Sequence, residues 1–172
     1  GPLRKMDIIY RLGPFDNTGI DHGLKNGTVF MHANLDLGVI QWFAEKYESH
    51  CAEAASKGQC LVDRINGFVR SYLEPEKPKI LTLEDDNGAC SRPAPGEKWE
   101  PSEPGQDGNP NPACVLMWDR DLAEGDDTQP NAEHVRQILK LLDADRPVLG
   151  HDPQDDSLIH SKYEGQVYLI DT

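Results

Sequence analysis

Residues 84–113 hold six prolines and four glycines and almost no aliphatic side chains. Such a composition cannot bury enough apolar surface to offset its ordering entropy, so the segment reads as a long proline-rich insertion loop. A loop of that length inside a compact domain is either a functional lid or partly disordered, and nothing in its residues selects one. Any core must therefore come from the flanking segments. At 172 residues the chain suffices for a single domain, 1–172, with a core that is modest for its length.

The flanking segments carry two kinds of periodicity. Asn26-Gly27 supplies a turn and Thr28, Val29 and Phe30 are strand formers, so a short strand is expected to end at His32. From Leu37 to about Ala55, Val39, Ile40, Phe43 and Tyr47 recur at helical spacing and predict one surface helix. Beyond a break at Lys57-Gly58, the stripe Leu61, Ile65, Phe68, Val69, Tyr72 and Leu73 predicts a second, stopped by Pro75 and Pro78. Cys114 to Trp118 reads as a buried strand. Asn131 is placed to cap a helix running through Leu142, with Val135, Ile138, Leu139 and Leu142 on its apolar face. Pro147 to Gly150 predicts a strand ending at His151, and Gln166 to Ile170 another. The sum is an α/β fold: a layered sheet with flanking helices.

Thirty acidic against seventeen basic residues give a net charge of −13. That charge repels nucleic-acid backbones and anionic membrane faces, so no nucleic-acid partner is expected. It leaves phosphoesters open as ligands, because a metal pair or a few arginines can invert the field inside a pocket. No stretch approaches the roughly twenty apolar residues of a membrane span. Cys51, Cys60, Cys90 and Cys114 read either as two local bridges, 51 to 60 and 90 to 114, or as four free thiols. The first reading suggests a secretory compartment and the second a cytoplasmic one, so localisation stays open.

His32 and His151 each follow a short apolar strand directly, where strand ends project side chains into a common crevice. Neutral imidazole suits manganese, iron or zinc, and two converging on one ion form half of many hydrolytic centres. A hydrogen-bonded turn residue is the plainer reading of either. His22, His50, His134 and His160 fall on expected loops or polar helix faces and read as surface residues. Asp126-Asp127 and Asp155-Asp156 read as solvated acidic turns, and Trp42, Phe43, Phe68 and Tyr72 as core.

The order of segments resembles one family. Residues 26–35, NGTVFMHANL, are similar to the "nGtlFvHgGL" segment of the Shewanella-like, bacterial phosphoprotein-phosphatase branch of the calcineurin-like metallophosphoesterases. Ile65-Asn66 with Val69 to Leu73 resembles the helix that follows there. Leu116 to Arg120 is similar to its "plW.R" strand end, Arg146 to Gln154 to its "r.VvGHTpq", and Gly165 to Asp171 to its closing strand.

The resemblance implies half of a four-layer sandwich and hydrolysis of a phosphomonoester, on a phosphorylated protein or a small phosphoester. It implies His32 and His151 as ligands of one metal and Arg120 as a contact for substrate phosphate, since a guanidinium fork can donate two parallel hydrogen bonds. The plainer reading of Arg120 is a solvated cation paired with Asp119 or Asp121. In the complete site two ions, divalent or trivalent manganese, iron or zinc, would lie about 3.5 to 4 Å apart and activate a water for in-line attack.

The departures are as informative as the matches. The family's D-x-H, G-D-x-x-D and G-N-H-[DE] motifs, which supply the remaining ligands from an upstream half, are absent from these residues. Two imidazoles cannot hold a bridged pair of ions. The chain is thus expected to hold one metal or none alone, to be weakly active or inactive, and to need a complementary N-terminal half from the same protein or another chain. Ala33 and Asn34 replace the family's small residues after His32, and Asp152 replaces its threonine after His151. These changes fit either a tuned site or a non-catalytic interaction domain that kept the scaffold.

Overall fold

The computed structural model describes residues 7–13, 26–72, 112–118, 121–125, 129–150 and 158–170. In chain order these form β1 (Ile9–Leu12), β2 (Thr28–Met31), α1 (Leu37–Lys46), α2 (Glu48–Cys51), α3 (Lys57–Tyr72) and α4 (Pro112–Trp118). They continue with α5 (Asp121–Glu124), α6 (Gln129–Leu141), β3 (Arg146–Leu149), β4 (His160–Lys162) and β5 (Val167–Leu169). The strands make one mixed five-stranded sheet in the order β1-β2-β3-β5-β4. Its centre is parallel, β2 beside β3 and β3 beside β5, and both edge strands run antiparallel to their neighbours. The expected α/β class is borne out.

Strand pleating assigns the two faces. Ile9, Met31, Leu149 and Leu169 stand in register across four strands, and all are buried. Together with Val29, Val167 and Leu142 they join the helical residues Val39, Ile40, Phe43, Leu61, Ile65, Val115, Leu116 and Ile138 in one core. Burial of each such side chain is worth about 1.5–3 kcal/mol. The alternate row, Tyr10, Phe30, Val148 and Tyr168, lies on the opposite face and stays partly or largely open, with Tyr10 54% exposed. The guanidinium of Arg146 stands over the Tyr168 ring, 5.4 Å from its centroid.

Several expected elements are revised. Cys114 to Trp118 is not a strand but most of α4, and Pro112 and Ala113, assigned to the loop, begin that helix. Proline suits a first helical turn, where its missing N–H has no intrahelical partner. Every residue from Ala113 to Leu116 is fully buried, and a short apolar run buried on all sides carries no periodicity to separate helix from strand. The rest of the loop, residues 84–111, lies outside the described residues.

The helix expected over residues 37–55 is two, α1 and α2, separated at Tyr47, whose φ of −109° and ψ of 11° are not helical. Asp36 caps α1, its Oδ1 accepting the Val39 N–H at 2.9 Å. The Lys57-Gly58 pair is no break: α3 starts there, with Ser56 Oγ accepting the Gln59 N–H at 3.2 Å. Gly58 serves packing instead, since a Cβ at that position would stand 1.9 Å from the Leu142 carbonyl oxygen. Asn131 is not a cap, because α6 begins two residues earlier at Gln129. His160 belongs to β4 rather than to a loop. Three of the four aromatics expected in the core meet there, the side chain of Tyr72 lying outside the described residues: the Phe68 ring sits 5.1 Å from Phe43 and 5.5 Å from Trp42, edge to face.

The end of α6 is built with care. Ala144 N–H bonds Leu139 O at 3.0 Å and Asp143 N–H bonds Lys140 O, the paired bonds of a Schellman C-cap. Asp143 takes the left-handed position usual for glycine, with φ 51°. Arg11, buried on β1, donates Nε to Leu142 O at 3.1 Å and a terminal nitrogen to Asp143 O and Asn26 O, each at 2.6 Å. A cation thus closes the negative end of the helix. The adjacent Asn26-Gly27 turn is held by Asp145, whose carboxylate accepts the Asn26 N–H at 2.7 Å and the Gly27 N–H at 3.2 Å.

Two expectations about cysteine resolve together. Cys51 and Cys60 form a disulfide between α2 and α3, and Cys114 is disulfide-bonded as well. The free-thiol reading is overturned for these three, and Cys90 lies outside the described residues. No described helix is long and apolar enough to cross a membrane.

Candidate functional site

The parallel strands end flush. Met31 pairs with Leu149, and Leu149 with Leu169, so β2, β3 and β5 terminate on one line. The backbone then continues the pairing by one step: Gly150 N–H bonds Met31 O at 3.1 Å, and Ile170 N–H bonds Leu149 O at 3.0 Å. A Cβ added at Gly150 would stand 3.4 Å from the His32 carbonyl oxygen. The chains leaving β2 and β3 therefore leave side by side, at the carboxyl ends of adjacent parallel strands, where open α/β sheets gather ligands.

His32 is the first residue of that edge. Its N–H bonds Ile8 O at 3.1 Å, which anchors the backbone, and its side chain is exposed. His151 and Arg120, the other two residues expected in the site, lie outside the described residues, as do His22, Asp126-Asp127 and Asp155-Asp156. Among the described residues no three His, Cys, Asp or Glu side chains converge as a metal site. The described side chains do not by themselves fit a two-metal centre, and the acidic ligands such a centre requires are not among them.

The loop that follows His32 is more informative than its sequence. Ala33, Asn34 and Leu35 are buried, with Asn34 only 2% exposed. The Asn34 Oδ1 is fully buried and accepts no hydrogen bond. The residue also lines a small cavity with Asp36 on the same loop, with Asn131 and His134 of α6, and with Tyr163. Tyr163, 1% exposed, donates its hydroxyl to Leu122 O at 2.8 Å. It begins a tight β4–β5 turn in which Tyr163, Glu164 and Gly165 all have positive φ, at 53°, 59° and 80°. Lys162 beside it donates Nζ to Gly125 O at 2.6 Å and also to Ala123 O. These bonds lock the end of α5 against the sheet.

His134 is exposed, as a polar helix face implies, yet it borders the cavity. Next to it the Glu133 carboxyl is held below its usual range by hydrogen bonds from Gln137 and then from Arg136. Sequence reasoning singled out Asn34 only as a departure from a family pattern. Asp36 and Tyr163 gave no signal at all, because the partners that make them interesting are distant in sequence.

No family model matches the chain, and no curated protein or solved structure matches it.

Proposed function

We propose that this chain is the C-terminal half of a metallophosphoesterase-type phosphatase acting on a phosphomonoester. His32 and His151 would be its contribution to the metal centre, and Arg120 its contribution to phosphate binding. The observation that carries the reading is the flush pairing of β2 and β3, with Gly150 against the His32 backbone. That register brings Gly150, which precedes His151 in sequence, to the same edge as His32. The open sheet face, with its row of Tyr10, Phe30, Val148 and Tyr168, is the surface a complementary half would cover. The acidic ligands come from that half, so the isolated chain hydrolyses phosphoesters weakly or not at all.

A Zn²⁺ titration of the isolated chain, followed by calorimetry, tests the shared-ion claim. Two converging imidazoles should bind one equivalent, and His32→Ala and His151→Ala should each weaken it by at least about tenfold. Equal binding in both variants and the wild type removes the basis for the reading. Phosphatase activity on a chromogenic phosphoester, if present with Mn²⁺, must disappear in His151→Ala.

A second reading, a secreted non-catalytic interaction domain, is favoured by the disulfides at Cys51, Cys60 and Cys114. Disulfides persist in oxidising compartments. Zinc binding that neither histidine governs, together with a disulfide-linked secreted product in cells, is the outcome expected of that alternative.

A further inference from the structure

Asn26-Gly27-Thr28 fits the Asn-x-Ser/Thr pattern of an N-linked glycosylation acceptor, with a residue other than proline in the middle, and no other Asn in the chain begins such a triplet. The pattern is short enough to arise by chance, so it carries weight only where the folded position and the compartment agree with it. Both agree here.

Asn26 is exposed, in the turn that enters β2. Its backbone is held on both sides: the N–H donates to Asp145 Oδ2 at 2.7 Å, and the carbonyl accepts from Arg11 at 2.6 Å. Gly27, with φ 116°, turns the chain into the strand. A bulky solvated group on the Asn26 side chain is thus rooted on a fixed surface turn. The Asn26 Nδ2 donates to Asp145 Oδ1 at 3.2 Å. That nitrogen carries two protons and glycosylation replaces one, so the other can keep the bond. Asn26 and His32 flank β2, and at about 3.3 Å per residue they stand roughly 15–20 Å apart. The glycan therefore starts at the opposite end of the strand from the candidate site. The compartment follows from the cysteines: Cys51 is bridged to Cys60, and Cys114 is also disulfide-bonded. Disulfides persist along the oxidising secretory route, where such acceptors are modified.

We infer that Asn26 carries an N-linked oligosaccharide. Its donor is a lipid-linked oligosaccharide diphosphate. The bond from Asn26 Nδ2 to the first sugar carbon forms as the bond from that carbon to the diphosphate breaks; Nδ2 gives up one proton to solvent, and the lipid diphosphate leaves. Thr28 is only 6% exposed, which puts the third residue of the triplet out of reach once β2 has joined the sheet, so transfer precedes folding. The inference rests on the secretory route of the second reading above and does not require that catalysis be lost.

The experiment is secretion of the full chain from yeast cells behind a cleavable leader, followed by a denaturing gel before and after peptide N-glycosidase. One band shift that the glycosidase removes is expected, and because that enzyme leaves Asp where the glycan stood, peptide mass spectrometry should find Asp at position 26. Asn26→Gln keeps the amide donor to Asp145 and should lose the shift while still being secreted; Thr28→Ala should lose it and Thr28→Ser retain it. Thiol labelling separates the two ways to fail. A secreted chain with Cys51 and Cys60 oxidised but no glycan at Asn26 overturns the inference alone. A chain recovered with both thiols reduced overturns the secretory reading and the inference with it.

Discussion

Asn66 treats Ile9 as a neighbouring strand would. Its Nδ2 donates to Ile9 O at 2.7 Å, and its Oδ1 accepts the Ile9 N–H at 3.2 Å and the Ile8 N–H at 3.1 Å. β1 is an edge strand, and edge backbone groups left open invite pairing with other chains. A helix side chain, itself 4% exposed, closes this edge from within.

Asn66→Leu keeps the branching at Cγ and removes all three bonds. Because the stranded Ile8 and Ile9 groups remain buried, the loss should be about 2–4 kcal/mol rather than the ~1 kcal/mol of an ordinary hydrogen bond. Urea unfolding measures the total, and amide exchange at Ile9 should accelerate beyond the global change. A loss under ~1 kcal/mol would mean the edge is closed by something else.

Arg11 should be as sensitive, for a different reason. Its guanidinium serves Leu142, Asp143 and Asn26 carbonyls at once and meets the Asp143 carboxylate at 3.3 Å. Arg11→Met leaves those carbonyls short of donors and removes a cation from the α6 terminus, costing about 2–4 kcal/mol. Arg11→Lys should recover less than half, because a point-like ammonium cannot span the fork. Full rescue by lysine in thermal or urea unfolding would show that charge alone matters.

The Cys51–Cys60 disulfide joins positions nine apart in sequence, and closing a loop that small lowers the unfolded-state entropy by an equivalent of about 2.5–3 kcal/mol. The C51S/C60S double variant should lose about 2–3 kcal/mol by urea unfolding. It should also narrow the stability difference between oxidised and reduced protein, leaving only what the Cys114 bridge contributes. An unchanged midpoint would place the constraint outside the loop between α2 and α3.

How far the sequence could be read follows from the range of each signal. The stripes Val39, Ile40, Phe43 and Leu61, Ile65, Phe68, Val69 announce α1 and α3 because an amphipathic helix writes its buried face every three to four residues. The strand at Thr28 to Met31 was legible from its turn and its β-forming residues, and that at Arg146 to Leu149 from its apolar run. β1 and β4, at four and three residues, are too short to show a period. The Cys114 to Trp118 run and the role of Gly58 were misread for one reason: complete burial and close backbone approach are properties of the neighbour, here the core and Leu142. At the candidate site, the position of His32 at a strand end was legible, and the unsatisfied Asn34 Oδ1 behind it was not.

Sequence by itself determined the local terms: three helical stripes, the Asn26-Gly27 turn, the strand before His32 and an acidic surface. Those follow from forces acting within a few residues, namely backbone propensity, periodic burial and summed charge. Tertiary structure decided the register that sets Gly150 beside His32, the closing of β1 by Asn66 from 57 positions away, and the capping of α6 by Arg11 across 131. A hydrogen bond or a steric contact depends on distance in space, and only the folded sheet brings residues that far apart in the chain within reach of each other.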